Sequence, residues 1–432
     1  MNKIFTFYIA WLILFASSFA FAEEYKFDLS EIEKKPYHIG GYLELRPILF
    51  GLDKDASLYK LKFFNRDEGK TIEEYNGKLQ LEGSLEKGIA RLFVRTNSDL
   101  KYSYLGWDHK TSIYEGYLSL KPSSSLSFKF GKQTLLWGKG YAFNPVAFVS
   151  RPKDPDDPEL ALEGYITASA DYIKSFNGPL KTFSITPVIF PVYEHINGDF
   201  GKINRLNFAA KLYFLFYDTD IDFMALTGGS RTNRVGMDFS KNITTNLEIH
   251  GEFGFINNQK SKIIDSQGRI SEAKFDARSY LLGIRYLTKL DTTYILEYYR
   301  NGTGFSRVEM EDYFSFINKG YDTFLSTGEN NLLNKAASVT QGNYGRSNPM
   351  KDYLYLRISQ KEPFTILYFT PAITSIMNLN DKSLSISPEL LYTGITNLEL
   401  RLKATALVGQ NGSEYGEKPN DYRLELRVRY YF

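Results

Sequence analysis

Basic side chains recur at every second position near the end of the sequence, and they are the first candidates for chemistry. In DYRLELRVRYYF, Arg423, Arg427 and Arg429 alternate with apolar residues, and NLELRLKATALV places Arg401 and Lys403 in the same way. Successive side chains of a strand point to opposite faces, so each set falls on one face. A face with this charge attracts carboxylates and other anions.

The same alternation, followed along the chain, predicts a basic wall where the last strand meets the first. Its predicted members are Arg46, Arg91, Arg95, Arg401, Lys403, Arg423, Arg427 and Arg429. Acidic residues share these faces: Glu44, Glu82, Glu399 and Glu425. Two interpretations stay open. The wall favours the passage of anionic or polar solutes, or the arginines pair with neighbouring glutamates and keep the wall hydrated and rigid.

A second candidate is the stretch GKQTLLWGKGYAFNPVAFVSRPKDPDDPEL, 131–160, which combines large apolar groups with acids. Its prolines lack N–H donors and prevent a continued strand. Apolar side chains on an irregular backbone need cover that neither water nor lipid supplies. We therefore predict that loop 134–162 folds inward and narrows a channel. The residues assigned to this constriction are Trp137, Lys139, Tyr141, Asn144, Arg151, Lys153, Asp154, Asp156 and Asp157. The alternatives are a cap over the mouth and packing on loop 302–349.

The acids of KDPDDPE are of the type that Ca²⁺ prefers, but the prolines between them keep the carboxylates apart. A solvated turn paired with Arg151 and Lys153 is the preferred interpretation, and we predict no metal and no cofactor.

The sequence has four histidines and no cysteine. His250 lies between Glu248 and Glu252 and is interpreted as a hydrogen-bonded residue of the wall, not as a catalytic base.

Dyad alternation recurs through the whole chain and predicts about eighteen strands, with sixteen as the alternative. Tight connections alternate with connections that are mostly longer, including 52–72, 99–109, 257–275 and 302–349. Short turns at one end and long loops at the other are typical of a transmembrane antiparallel up-and-down β-barrel. Closure leaves no free edge, as hydrocarbon requires. A barrel of this size holds an aqueous channel.

The two ends of the sequence predict export. The apolar run before Ala20-Phe21-Ala22 has the form of a cleaved signal peptide, 1–22. Segment 23–38 is then a short periplasmic segment, and 39–432 is the barrel. The terminal Phe432, after alternating apolar residues, resembles the signal that bacterial outer-membrane barrels present to their assembly machinery. We expect a Gram-negative outer-membrane location, contact with lipid, no nucleic-acid partner, and either a monomer or a homo-oligomer.

The motif WGKGYAFNPVAF followed by PKDPDDPE resembles one shared by poorly characterised outer-membrane porin-like proteins. The resemblance is close over some thirty residues and implies a barrel that serves as a channel for small polar, chiefly anionic, solutes. A barrel-anchored surface or polysaccharide-binding protein is the alternative, since loop 302–349 is long and polar. An outer-membrane enzyme is a third interpretation, disfavoured because no histidine lies in a nucleophile motif.

Overall fold

The structure, a computed structural model, describes residues 35–432. The predicted signal peptide, 1–22, and most of the predicted segment 23–38 lie outside these residues. The described chain forms eighteen strands. Their bounds are β1 Tyr37–Leu52, β2 Thr71–Lys87, β3 Ala90–Ser103, β4 Gly106–Ser123, β5 Leu126–Gln133, β6 Tyr165–Ser175, β7 Leu180–Val192, β8 Arg205–Phe216, β9 Thr219–Thr227, β10 Arg234–Thr244, β11 Leu247–Ile264, β12 Ile270–Leu287, β13 Thr292–Arg300, β14 Asp352–Gln360, β15 Phe369–Asn378, β16 Leu384–Ile395, β17 Leu398–Val408 and β18 Asn420–Tyr431.

Each strand pairs antiparallel with its neighbours in sequence, and the sheet closes on itself. Strand β1 pairs with β2 from Tyr37 opposite Leu85, and with β18 from Tyr42 opposite Tyr431. The predicted barrel of about eighteen strands is confirmed. Among residues 35–432, no helix has the length and apolar character to cross a membrane.

Three α-helices of the described chain lie in the connections at one end of the barrel, which we call the long-loop end. Helix α1, Ser57–Phe63, follows β1; α2, Arg307–Thr327, and α3, Asn331–Val339, follow β13. A capping box at the start of α2 satisfies its first amides, because Ser306 and Glu309 each accept from the other's backbone. The prediction that residues 99–109 and 257–275 form loops is wrong. Both are hairpins whose strands continue beyond the predicted ends, so that β3 and β4 are joined by residues 104–105 alone.

Burial in the wall is inverted relative to a water-soluble protein. In β18, Leu424 and Leu426 are exposed on one face, while Glu425 and Arg427 are buried on the other. Exposed apolar side chains continue around the barrel on the same outer face. An apolar outer band with polar groups inside is the arrangement that lipid requires of a barrel.

Two apolar clusters lie inside the long-loop half of the barrel. The first joins β13 and β14 to α2 and α3 and includes Tyr313, Phe305 and Tyr353. The second lies against β6, β7 and β9 and includes Phe148 and Phe190. Both clusters contain residues of the connection between β5 and β6, so this connection, residues 134–164, is packed on both sides.

Replacing Phe148 by Ala should lower the free energy of unfolding by about 3 kcal/mol, because it leaves a cavity in a packed cluster. Phe148 is 1% exposed. Urea unfolding of the protein in detergent, followed by tryptophan fluorescence, measures the change. Phe364→Ala is the matched control, since Phe364 is 89% exposed. Equal effects of the two changes would contradict the packing described here.

Candidate functional site

The backbone of the 134–164 loop is held by two buried carboxylates of the barrel wall. Glu252 on β11 accepts from the amide of Gly140 at 2.6 Å and from that of Val146 at 3.3 Å. Glu297 on β13 accepts from the amides of Tyr141 and, at 2.9 Å, of Ala142. An irregular segment has no ladder partners for its N–H groups, and buried amides left unpaired are costly. The wall carboxylates supply the missing acceptors.

Apolar side chains of the same loop fill the space between the two clusters. Trp137 and Phe148 are buried against β6, β7 and β9. Phe143 stacks on Tyr299 with ring centroids 4.6 Å apart, in the cluster formed with the 301–351 loop. Tyr141 is half-buried, and its hydroxyl donates to Glu159 at 3.0 Å. The loop therefore contacts both the inward face of the wall and the 301–351 loop.

Asp156 at the far end of the loop contacts two basic side chains of the wall. Its carboxylate accepts from Lys403 Nζ on β17 at 2.8 Å and from the Arg423 guanidinium on β18. The backbone carbonyl of Asp156 accepts from the same Nζ at 2.6 Å. Burial alone would raise the pKa of Asp156, but the charges of Lys403 and Arg423 outweigh it and lower that pKa to about 2.

Asp157 makes a matching contact one step along the wall. Its carboxylate accepts from Arg427 Nη2 at 2.7 Å and lies 3.9 Å from Arg401 Nη1. Burial again opposes ionisation, yet the two arginines hold the pKa of Asp157 below its usual value. Arg401 and Arg427 are close to the same carboxylate because they lie opposite each other in the register of the β17–β18 pair. Four cations of the wall thus hold two carboxylates of the loop.

The other predicted loop residues have different partners. The expected pairing of the acidic turn with Arg151 and Lys153 is wrong. Arg151 pairs with Asp199 and Glu163, and Lys153 Nζ donates to the Gly140 carbonyl at 2.9 Å. Arg151 and Lys153 therefore have other partners, and the carboxylates of the acidic turn contact the wall instead.

Three further loop residues complete the predicted set. Lys139 Nζ lies 3.2 Å from Asp222 on β9. Asn144 donates to Glu252 at 3.2 Å, which adds a side-chain contact to the backbone contacts of this glutamate. Asp154 accepts from the amide of Asp156 at 3.0 Å within the turn, and burial raises its pKa. Asp154 therefore shapes the turn that presents the next two carboxylates.

The remaining members of the predicted wall do not contact the loop carboxylates. Arg429 donates to Glu44 across the β1–β18 seam at 2.6 Å. Arg95 lies between Glu82 and Glu115, at 3.1 and 2.9 Å. These contacts agree with the second interpretation, in which wall arginines pair with neighbouring glutamates.

Two other predicted cations of the wall differ from this group in their surroundings. Arg91 lies 3.4 Å from Glu86 close to a short turn. Arg46, on β1, has a buried Nε without a hydrogen-bond partner in the described structure. The predicted wall therefore contains arginines paired with glutamates of the wall, a group that holds the loop, and Arg46, which belongs to neither.

Space remains beside the contacts of Asp156. A cavity of about 230 Å³ is lined by Asp156 and Arg423 together with Thr405, Tyr415 and Lys418. It lies between the wall and the long loops. A small solute in this cavity would lie beside Arg423, which lines it.

The residues that hold the backbone of the loop were not predicted. Alternation places Glu252 on the same face as His250, Glu297 was not singled out, and nothing in the local sequence of either glutamate shows that it accepts loop amides. His250, predicted as a wall residue, contacts Glu297 at 2.9 Å through Nε2 and supports this acceptor. One signal in the sequence could have identified them: an inward-facing acid in a barrel with an irregular apolar loop is a candidate acceptor for the amides of that loop.

Comparisons with known proteins give structural matches only. No protein family and no curated protein matches the sequence. The outer membrane protein OpdK from Pseudomonas aeruginosa is 10% identical, with 91% of this chain and 98% of that chain covered and a TM-score of 0.52. OccK2 (OpdF) from the same organism is also 10% identical, with 92% and 98% covered and a TM-score of 0.50. The fold is that of these outer-membrane proteins. The structural matches agree with the inverted burial of the wall.

Replacing Asp156 by Asn should lower the free energy of unfolding at pH 7 by about 2 kcal/mol, the value of its pKa shift. A lowered pKa contributes stability above the unfolded value near 3.8, and the contribution is lost as pH falls through about 2. Most of the difference between the two proteins should therefore be lost at pH 2. Urea unfolding at both pH values measures it.

Asp108→Asn is the matched control for this change, because Asp108 is exposed on the β3–β4 hairpin. It should unfold like the unmodified protein at both pH values. A deficit of Asp156→Asn that is as large at pH 2 as at pH 7 would show that the carboxylate charge does not hold the loop.

Proposed function

We propose that this protein is an outer-membrane channel for small polar solutes, with a preference for anions that carry carboxylates. One observation carries the proposal. The basic groups of β17 and β18 already bind two carboxylates, those of Asp156 and Asp157, inside the barrel. A solute carboxylate offers the same oxygen atoms to the same guanidinium and ammonium donors.

Electrostatics favours this assignment. Charges lining a narrow path with low-dielectric walls raise the local concentration of ions of opposite sign. Arg423 and Lys418 line the cavity beside Asp156, together with the acids Asp154 and Asp156. An anion in this cavity would lie beside these two basic groups, of which Arg423 already holds the carboxylate of Asp156.

The structural matches support the same solute class. OccK2 has been crystallised in complex with glucuronate, and OpdK with vanillate, which are both carboxylates. Their identity to this chain is 10% in each case, so the likeness concerns the fold. Within the proposal, the basic wall is the part of this chain that would recognise the carboxylate.

The 134–164 loop supplies the proposed constriction. Its two ends leave the wall at β5 and β6, while Asp156 and Asp157 contact β17 and β18. Around the closed sheet, five strands, β1 to β5, lie between β18 and β6. A segment that connects such distant parts of one wall must cross the interior, and a crossing segment narrows the path.

Export and insertion complete the proposal. We assign 1–22 as a cleaved signal peptide and Phe432 as the recognition signal for the barrel-assembly machinery of a Gram-negative outer membrane. Support comes from the seam, where the Phe432 amide donates to the Gly41 carbonyl at 3.1 Å and the Gly41 amide to the Phe432 carbonyl at 3.0 Å. The last residue thus takes part in closing the barrel.

The purified protein should pass anions in preference to cations across a planar bilayer, as a reversal potential in a salt gradient would measure. Replacing Arg423 and Arg427 together by Gln should lower the anion-to-cation permeability ratio about fivefold, since a unit charge about 4 Å away is worth about 1 kcal/mol in water. Arg269→Gln, on an exposed hairpin tip, is the control and should leave the ratio unchanged. Cation preference in the unmodified protein would refute the anion assignment.

Replacing residues 139–159 by a short Gly-Ser linker should increase the single-channel conductance at least about twofold, because the crossing segment is removed from the lumen. Defined conductance steps before and after the change are the measurement. Circular dichroism checks that the barrel persists. An unchanged step size in a folded barrel would show that this loop does not form the constriction.

A further inference from the structure

A basic depression at the long-loop end lies apart from the wall group that holds Asp156 and Asp157. It has a volume of about 510 Å³ and lies between residues 229–234 and 257–260, beside Lys202. Its basic residues are Lys202, Arg231, Arg234 and Lys260, and none of its lining residues is acidic. Amides of Asn233, Asn257, Asn258 and Gln259 complete the lining. None of these residues belongs to the predicted pathway.

Two polar groups in this depression have no hydrogen-bond partner within the described residues. The Nε of Arg234 and the hydroxyl of Thr232 are buried without a hydrogen-bond partner in the described part of the chain. Within residues 35–432, no carboxylate lies within 4.0 Å of the charged groups of Lys202, Arg231 or Arg234, whereas Lys260 pairs with Glu272. Buried polar groups are normally satisfied, so unsatisfied donors next to a cavity indicate a missing acceptor.

The walls of the depression are held in place by contacts between loops. Ser230 exchanges hydrogen bonds with Asn207, and its carbonyl accepts from the amide of Lys202 at 2.9 Å. The Arg231 guanidinium lies 3.8 Å from the centre of the Phe200 ring and donates to the Phe200 carbonyl at 2.5 Å. Groups that are already ordered lose less entropy when a ligand binds.

We propose that this depression binds a small oxyanion, a carboxylate or sulfate group, on a polyhydroxylated solute. Arg234 supplies a guanidinium whose donors match two oxygens of such a group, and Thr232 supplies a hydroxyl. The neighbouring amides offer both donors and acceptors to solute hydroxyls. The inference goes beyond the proposed channel, because binding here requires no passage of solute. An acidic sugar has the required combination of groups.

Binding of sulfate and of gluconate to the full-length mature protein in detergent, measured by isothermal titration at low salt, tests the inference. Both anions should bind and compete, while uncharged sorbitol should not. Arg234→Gln should weaken sulfate binding about tenfold, since a hydrogen bond to a charged group is worth about 1.5–3 kcal/mol. Arg234→Lys should restore part of the affinity, because it keeps the charge and loses the planar fork.

The matched control is Lys289→Gln, which removes one exposed positive charge at a short turn and should leave affinity unchanged. Lys202→Gln, on the exposed rim, should weaken binding without affecting folding. Crystals grown with selenate would locate the anion by its anomalous signal. Unchanged affinity in a folded Arg234→Gln protein, equal binding of sorbitol, or selenate at the β17–β18 wall alone would overturn the inference. None of these results depends on conductance, so failure of the channel proposal is a separate outcome.

Discussion

The closed hydrogen-bond ladder is the constraint on which the rest of this structure depends. Because β1 pairs with both β2 and β18, the backbone of the wall is satisfied within the sheet. Closure then assigns each residue of a strand to lipid or to the interior by its position alone. The apolar exterior and the charged interior are both consequences of that single geometric condition.

The interior is organised by exchange of carboxylates between wall and loop. Wall carboxylates, Glu252 and Glu297, accept from the unpaired amides of the loop, while loop carboxylates, Asp156 and Asp157, accept from cations of the wall. Each contact satisfies a group that the ladder cannot reach. The loop is therefore held over residues 137–149 by wall carboxylates and apolar packing together, and at Asp156 and Asp157 by ion pairs.

The basic residues of β18 are of two kinds, which differ in whether their acidic partners lie in the wall or in the loop. Arg429 has Glu44 opposite it across the seam, so its charge is balanced within the wall. Arg423 and Arg427 depend on the loop for part of their compensation. Where a loop carboxylate balances the charge of a wall cation, the carboxylate of a solute can take its place without breaking hydrogen bonds of the sheet. The proposed channel depends on this property of Arg423 and Arg427.

Sequence alone predicted the barrel, a number of about eighteen strands with sixteen as the alternative, and the alternation that puts basic residues on one face of the last strands, because period-two alternation depends only on local geometry. It failed where strands continue past the apolar band, since the polar residues 99–109 and 257–275 pair as hairpins although their pattern is that of loops. Tertiary structure alone decided that Asp156 and Asp157 meet β17 and β18 and not Arg151 and Lys153. The physical reason is separation along the chain: these contacts join residues roughly 250 positions apart, and only closure of the barrel brings them together.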